Sequence, residues 1–306
     1  MQETVYAALA LAVLAALAVL PGCTGVPGLE ATEEFNRTVT VEPESGVVVI
    51  NRNGGVTVDV REGETVAVSA VKRSVYGRGE LDKVRIEVTE GDPLRIETVH
   101  TGFNPRVSVD YTIHLPPTVV LRRVESSNGP IELSGVRVNG TELATSNGPV
   151  RVDGAPGGDL AAASSNGGIE IRGAEGYVTA RTSNAPITVE ESGGVADLDT
   201  SNGPVSAEVP AIRGDVTVSS SNGPITLRLA EGLDARIVAT TSNGRIAVND
   251  LALRLEESSG TRVFGTLGEG GPTITVTTSN GNIDLSGLGP PATIYPSGIN
   301  STFEQS

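Results

Sequence analysis

The dipeptide Ser-Asn recurs with its asparagine at 128, 147, 166, 184, 202, 222, 243 and 280. The spacings are 19, 19, 18, 18, 20, 21 and 37 residues. A unit this short cannot bury a face alone, so it must stack on copies of itself. Three residues after each asparagine stands Ile131, Val150, Ile169, Ile187, Val205, Ile225, Ile246 or Ile283. Five after stands Leu133, Val152, Ile171, Val189, Ala207, Leu227, Val248 or Leu285, with a mostly polar or small residue between. That is the period-2 signature of a half-buried strand. A second alternation precedes the asparagine, as in Val216 and Val218 or Ile274 and Val276. Two residues before it there is always a Ser or Thr.

These patterns predict an all-β chain: a parallel β-solenoid of about 18–20 residues and two short strands per rung. Chain chirality makes it right-handed. At roughly 4.8 Å per rung, about nine rungs from Val124 to Leu285 give a rod of roughly 40 Å. The 37-residue gap reads as two periods, with Glu257-Ser258-Ser259-Gly260 as the remnant of a degenerate rung. The Asn-Gly step is expected to make the corner, since Asn tolerates a left-handed backbone and Gly takes positive φ. Pro130, Pro149, Pro186, Pro204 and Pro224 then fix φ where the next strand begins. Strand parity places the asparagines inward. Asn128, Asn147, Asn166, Asn184, Asn202, Asn222, Asn243 and Asn280 are thus read as a structural corner ladder rather than a row of ligand contacts.

The expected divisions are a signal peptide (1–22), a lipidated tether (23–34), irregular coils of the same solenoid or a cap (35–123), the regular repeat (124–286) and a C-terminal cap or tail (287–306). Tyr6–Leu20 is an uncharged apolar run, short for a membrane span but suited to a signal peptide. Leu20-Pro21-Gly22-Cys23 follows and resembles a lipobox, with Cys23, the chain's single cysteine, as the lipid-bearing residue. The segment before the run has no Lys or Arg and contains Glu3, a departure from the usual positive start. One cysteine excludes an intrachain disulfide, so packing and backbone hydrogen bonds must hold the fold. Asn36, Asn139 and Asn300 open N-x-Ser/Thr sequons and are candidate glycosylation sites.

The alternating strands around Asn53-Gly54-Gly55-Val56-Thr57-Val58 and the stretch Asp110-Tyr111-Thr112-Ile113-His114-Leu115-Pro116, joined to the repeated Asn-Gly-x-[Ile/Val]-x-[Ile/Val], resemble the adhesin-type β-strand-repeat family. That group is a domain of unknown function in bacterial and archaeal surface proteins. The resemblance covers roughly residues 35–286. It implies a parallel β-solenoid at the cell surface and carries no active site onto these residues.

Charge and composition narrow the function. The net charge is −15, and Lys72 and Lys83 are the only lysines, which argues against a nucleic-acid partner. His100 and His114 are the only histidines, so a zinc centre or a His-based triad has little to work with. No catalytic, cofactor or metal residue is assigned. His114 is expected to face outward on its strand. Asp197 and Asp199, with Arg181 one rung earlier, are the one acid pair that a polysaccharide lyase or glycosidase could use; an exposed ion pair is the simpler reading. Thr179, Thr217, Ser219, Thr240, Thr275 and Thr277 line up on an outward hydroxyl face that could meet a carbohydrate or ice, although Arg181, Asp197, Asp199 and Val238 break the columns; solvated strand faces of good β propensity are the simpler reading.

The chain therefore reads as a non-catalytic, adhesin-like surface lipoprotein. Its expected partners are the membrane, through the lipid anchor, and a surface glycan or envelope protein. A carbohydrate-active enzyme and an envelope-sensing scaffold are the alternatives. Replacing Cys23 by Ser is expected to abolish incorporation of labelled fatty acid and to release the protein from the membrane fraction, both read after metabolic labelling and fractionation.

Overall fold

The structure is a computed structural model describing residues 30–289. The signal peptide, Cys23, most of the tether, the tail beyond 289 and Asn300 lie outside the described residues. The strands begin with β1 (Ala31–Thr40), β2 (Gly46–Ile50), β3 (Val56–Val60), β4 (Thr65–Ser74), β5 (Val84–Thr89), β6 (Leu94–His100) and β7 (Ser108–Leu115). The regular run is β8 (Val120–Ser126), β9 (Ile131–Ser134), β10 (Val138–Thr145), β11 (Val150–Ala155), β12 (Leu160–Ser164), β13 (Ile169–Ala174), β14 (Tyr177–Thr182), β15 (Ile187–Glu190), β16 (Gly194–Thr200), β17 (Val205–Val209), β18 (Val216–Ser220) and β19 (Ile225–Ala230). The last are β20 (Ala235–Thr241), β21 (Ile246–Asn249), β22 (Leu253–Ser258), β23 (Arg262–Leu267), β24 (Thr273–Thr278) and β25 (Ile283–Leu288). One helical turn, α1 (Arg78–Leu81), interrupts the strands.

The predicted two-strand rung is present. Each rung gives one strand to a twelve-stranded sheet and one to a thirteen-stranded sheet. Between them lies the apolar core. In the first sheet Ile131, Val150, Ile169, Ile187, Val205, Ile225, Ile283 and Ile246 stand in register, and Val56 and Tyr111 extend the column. In the second sheet Val124, Leu143, Ala162, Ala180, Leu198, Val218, Val276 and Ala239 do the same. Stacked β-branched and small side chains fill a strand-spaced column without large rings, which is why so few aromatics suffice.

The corner differs from the expected one. The Ser/Thr ends its strand buried, the next two residues are both exposed, and the glycine (Ala185 at one corner) is buried again at every corner except Gly244. Period 2 stops at the turn, so all eight asparagines point outward rather than inward. They still form a ladder. Asn147 Nδ2 donates to Asn128 Oδ1 at 2.7 Å, and the chain of amides runs on through Asn166, Asn184, Asn202, Asn222, Asn280 and Asn243.

The glycines are not left-handed either: none of the Asn-Gly glycines from Gly129 to Gly281 has positive φ except Gly140, which lies outside the Ser-Asn corners. They are required by close approach. A Cβ on Gly148 would stand 2.0 Å from Gly129 O, and one on Gly167 would stand 1.8 Å from Gly148 O. The buried hydroxyls join the corners. Thr145 Oγ1 accepts the Gly148 N–H at 3.2 Å and donates to Gly129 O one rung away at 3.1 Å. Ser126, Ser164, Thr200, Ser220, Thr241 and Thr278 repeat both bonds. Where alanine replaces glycine, at Ala185, Thr182 keeps its bond to Gly167 O, but among the described residues no return bond from the Ala185 N–H is made.

Spatial order departs from chain order at both ends. β24 and β25 lie between the β18/β19 rung and the β20/β21 rung, so the last described rung is inserted into a gap left by earlier ones. The expected degenerate rung at 257–260 is instead the turn region of an antiparallel hairpin, β22–β23, beside β20. At the other end β6 and β7 pair with β2 and β3, while β4 and β5 run antiparallel outside them. The strands around Val66 and Val84 are therefore antiparallel edge-coverers rather than wider solenoid coils. β1 pairs antiparallel with β4 and completes that end. Charged, antiparallel outer strands blunt the edge-to-edge pairing that a bare parallel end invites.

The N-terminal rungs replace the hydroxyl relay by a larger network. Buried Asn51 occupies the Ser/Thr position and donates to Gly54 O and Val109 O. It accepts from Thr98 Oγ1 at 2.9 Å, and Thr98 in turn receives the Tyr111 hydroxyl at 2.7 Å. Burial pushes the Tyr111 phenol from 10.0 up to about 12; the Thr98 bond pulls it down and Glu97 adds to the rise.

Two outcomes follow from these contacts. Thr145→Val strands a buried N–H and a buried carbonyl and is expected to cost about 1–3 kcal/mol, whereas Asn166→Ala, on the exposed ladder, costs about 1 kcal/mol or less, both read from urea midpoints. Tyr111 ionises in the unfolded chain near pH 10 and in the folded chain near 12. Its contribution is complete below pH 10 and lost as pH rises through that window, about 3 kcal/mol for two units. Tyr111→Phe is expected to flatten the stability profile there.

Candidate functional site

The outward face of the thirteen-stranded sheet carries two columns. One runs Glu125, Ala144, Ala163, Arg181, Asp199, Ser219, Thr277, Thr240. The other runs Arg123, Glu142, Ala161, Thr179, Asp197, Thr217, Thr275, Val238. The inserted rung brings Thr275 and Thr277 between Thr217/Ser219 and Thr240. Five of the six hydroxyls singled out in sequence thus share three adjacent strands; Thr179 is separated from them by Asp197. Thr240 and Thr277 lie 3.3 Å apart through their hydroxyls.

The β22–β23 hairpin rises beside this patch, held by the Thr241 N–H donating to Thr261 O at 3.0 Å. Together they enclose an open groove of about 340 Å³ lined by Thr240, Ser242, Thr277 and Ser279 on the sheet side and Glu257, Ser259, Thr261 and Arg262 on the hairpin side. Arg262 is placed by its own β-strand and stacks over Phe264 at 5.8 Å. The groove offers hydroxyls of either polarity, one carboxylate and one guanidinium, the set that hydrogen-bonds a polyol. Sequence reasoning missed Glu257, Ser259 and Arg262, because they join the hydroxyl face only through the hairpin. A second depression of about 320 Å³, near Asn51, Arg52, Glu125 and Ser146, lies toward the N-terminal end.

The acid pair is elsewhere. Asp197 and Asp199 share the outward face of β16, about three strand spacings, or roughly 14 Å, from Thr240. Arg181 faces Asp199 in register but its guanidinium bonds Asp197. Asp199 accepts from Ser219. Both acids thus have a neighbour on a flat sheet.

His114 does face outward, its Nδ1 against Asp59. His100 is exposed at the end of β6, and its pKa is lowered, by partial burial first and by Arg52 second. At Asp159 burial pushes the pKa up, but the Tyr177 N–H and Arg213 outweigh it and hold the carboxyl low. No group of three or more potential metal ligands occurs among the described residues. Asn36 and Asn139 are exposed, on β1 and β10. The Thr141 hydroxyl of the second sequon is fully buried and donates to Leu121 O, so modification at Asn139 would have to precede folding.

A family model described as Toastrack DUF4097 matches residues 46–286. The chain belongs to that family. The match runs from the first residue of β2 into β25 and so takes in both displaced end rungs. A search of curated proteins finds no match. Among solved structures, an adhesin candidate of Bacteroides fragilis NCTC 9343 is 12% identical, covering 84% of this chain and 97% of its own, at a TM-score of 0.37. An adhesin candidate of Parabacteroides distasonis ATCC 8503 is 11% identical over 82% and 97%, at 0.38. A lipid-binding candidate of the same organism is 14% identical over 82% and 96%, at 0.32. Likeness at this level says nothing about what the Toastrack chain binds.

Proposed function

We propose that this Toastrack protein is a non-catalytic surface module, anchored by a lipid on Cys23, that holds a hydroxyl-rich glycan in the groove between the Thr240/Thr277 patch and the β22–β23 hairpin. The observation that carries this reading is the inserted rung: it builds a contiguous hydroxyl patch on three adjacent strands, β18, β24 and β20, beside the hairpin residues that line the other side of the groove. Neutral hydroxyls flanked by one acid and one base suit reversible hydrogen bonding to a sugar better than bond cleavage, which calls for converging acids. Asp197 and Asp199, each already bonded to a neighbour on a flat surface, do not supply them.

The expected result is that the protein binds members of a glycan and cell-envelope array and leaves them intact. Thr240→Val with Thr277→Val is expected to weaken that binding by about tenfold, as for two lost hydrogen bonds, with the unfolding midpoint little changed. Shortened glycan in the same wells would sink the non-catalytic reading and direct attention to Asp197 and Asp199.

A further inference from the structure

Four large apolar side chains are exposed among the described residues, and three of them lie together: Val75 at 64%, Tyr76 at 60% and Phe103 at 94%. They sit on two loops, one between β4 and α1, the other between β6 and β7. The loops are neighbours. Arg106 stacks over the Tyr76 ring at 4.5 Å and its N–H donates to Glu80 Oε2 at 2.9 Å. The N–H groups of Thr101 and Gly102 donate to Lys83 O. A phenylalanine held almost wholly in water costs free energy unless something covers it.

The charge around the cluster is unlike that of the chain. Arg78, Lys83 and Arg106 stand on or beside the two loops with Glu80 and Asp82, while on the entering strand Glu33 is paired with Lys72 and Glu30 is exposed; the balance here is near neutral in a protein whose net charge is −15. Glu80 is itself taken up by Lys83 and the Arg106 N–H, which hold its carboxyl below the usual range. Exposed aromatics beside arginines are the composition of a membrane interface, where rings sit at headgroup depth and guanidinium groups meet phosphates.

Position points the same way. Ala31, at the start of β1, pairs with Ser74, the residue next to Val75. The chain leading back to Cys23 therefore enters the fold beside the cluster. The eight residues from Cys23 to Ala31 span at most about 28 Å. A single acyl chain holds a protein only marginally, so a second contact at the same end would matter.

We infer that Val75, Tyr76 and Phe103, flanked by Arg78 and Arg106, are the face on which the folded domain docks end-on against an anionic phospholipid bilayer. This rests on the proposed anchor at Cys23 for its orientation, and it leaves the glycan groove at the opposite end of the stack, turned away from the membrane. Loops rather than strands carry the cluster, so its side chains can enter the headgroup layer without disturbing the rungs.

The protein has no tryptophan, so Phe103→Trp gives a single reporter. The full chain is reconstituted into phosphatidylcholine vesicles containing phosphatidylglycerol, some with lipids brominated near the headgroup. Docking is expected to cost the reporter roughly half its emission in the brominated vesicles. Val238→Trp, an outward position on β20, is expected to stay unquenched. Arg78→Glu with Arg106→Glu is expected to restore the Phe103→Trp emission. An unquenched Phe103→Trp signal on vesicle-bound protein overturns the inference, and so does equal quenching at both positions; a protein partner on this face would give the first result. Flotation is read separately. If the Cys23→Ser chain floats as well as its parent the anchor reading fails, while emission from the floated chain still decides the docking.

Discussion

The structure depends on how closely two corner backbones can approach. Successive rungs bring a corner glycine so near the carbonyl of the rung below that a methyl group would overlap it. The Ser/Thr hydroxyl beneath uses that closeness: it takes the N–H of its own corner and gives its proton to the neighbouring one. A buried hydroxyl with both roles filled costs little, and one left open costs a desolvated polar group. Repetition turns this local exchange into a spine along one side of the core. The exposed asparagine ladder reinforces the same corner from outside, where water competes for each amide.

Parallel stacking solves the interior and leaves the ends. Each terminus closes in the same way: a rung is laid down, the chain makes an antiparallel excursion, and a later rung fills the space between. β24 and β25 enter between β18/β19 and β20/β21, as β6 and β7 enter between β2/β3 and the outer β4 and β5. The outcome is a stack whose outermost strands are mostly antiparallel and charged. It also places the two proposed contact surfaces. The C-terminal excursion raises the wall of the hydroxyl groove, and the N-terminal one carries the aromatic loops. The regular middle supplies length and stiffness, its outer faces laced by exposed ion pairs such as Arg151 with Glu132 and Arg172 with Glu190, each worth little alone.

Much of this was legible in the residues. The columns of Ile, Val and Leu after each asparagine have the predicted register, and the Ser/Thr position is buried at every repeat. Two inferences about the corner went the other way for one reason. Strand parity ends at the turn and leaves the asparagines outside, and close contact rather than positive φ is what requires the glycines. A contact with a residue some nineteen positions away leaves no local mark by which the two explanations could be told apart.

By itself the sequence determined the repeat, its two-strand rung and the buried side of each strand, because these depend on spacing and polarity within one unit. Only the tertiary structure decided the order in which the rungs stack at the ends. The Asn280 unit carries the same Ser-Asn corner and apolar spacing as the Asn243 unit, so either could follow the Asn222 rung as far as local pattern can tell. The choice falls to the antiparallel strands β23, β4 and β5, which cover the outer sides of β20, β7 and β6 and leave only their inner sides open to a parallel rung. The groove and the aromatic end both arise from that choice.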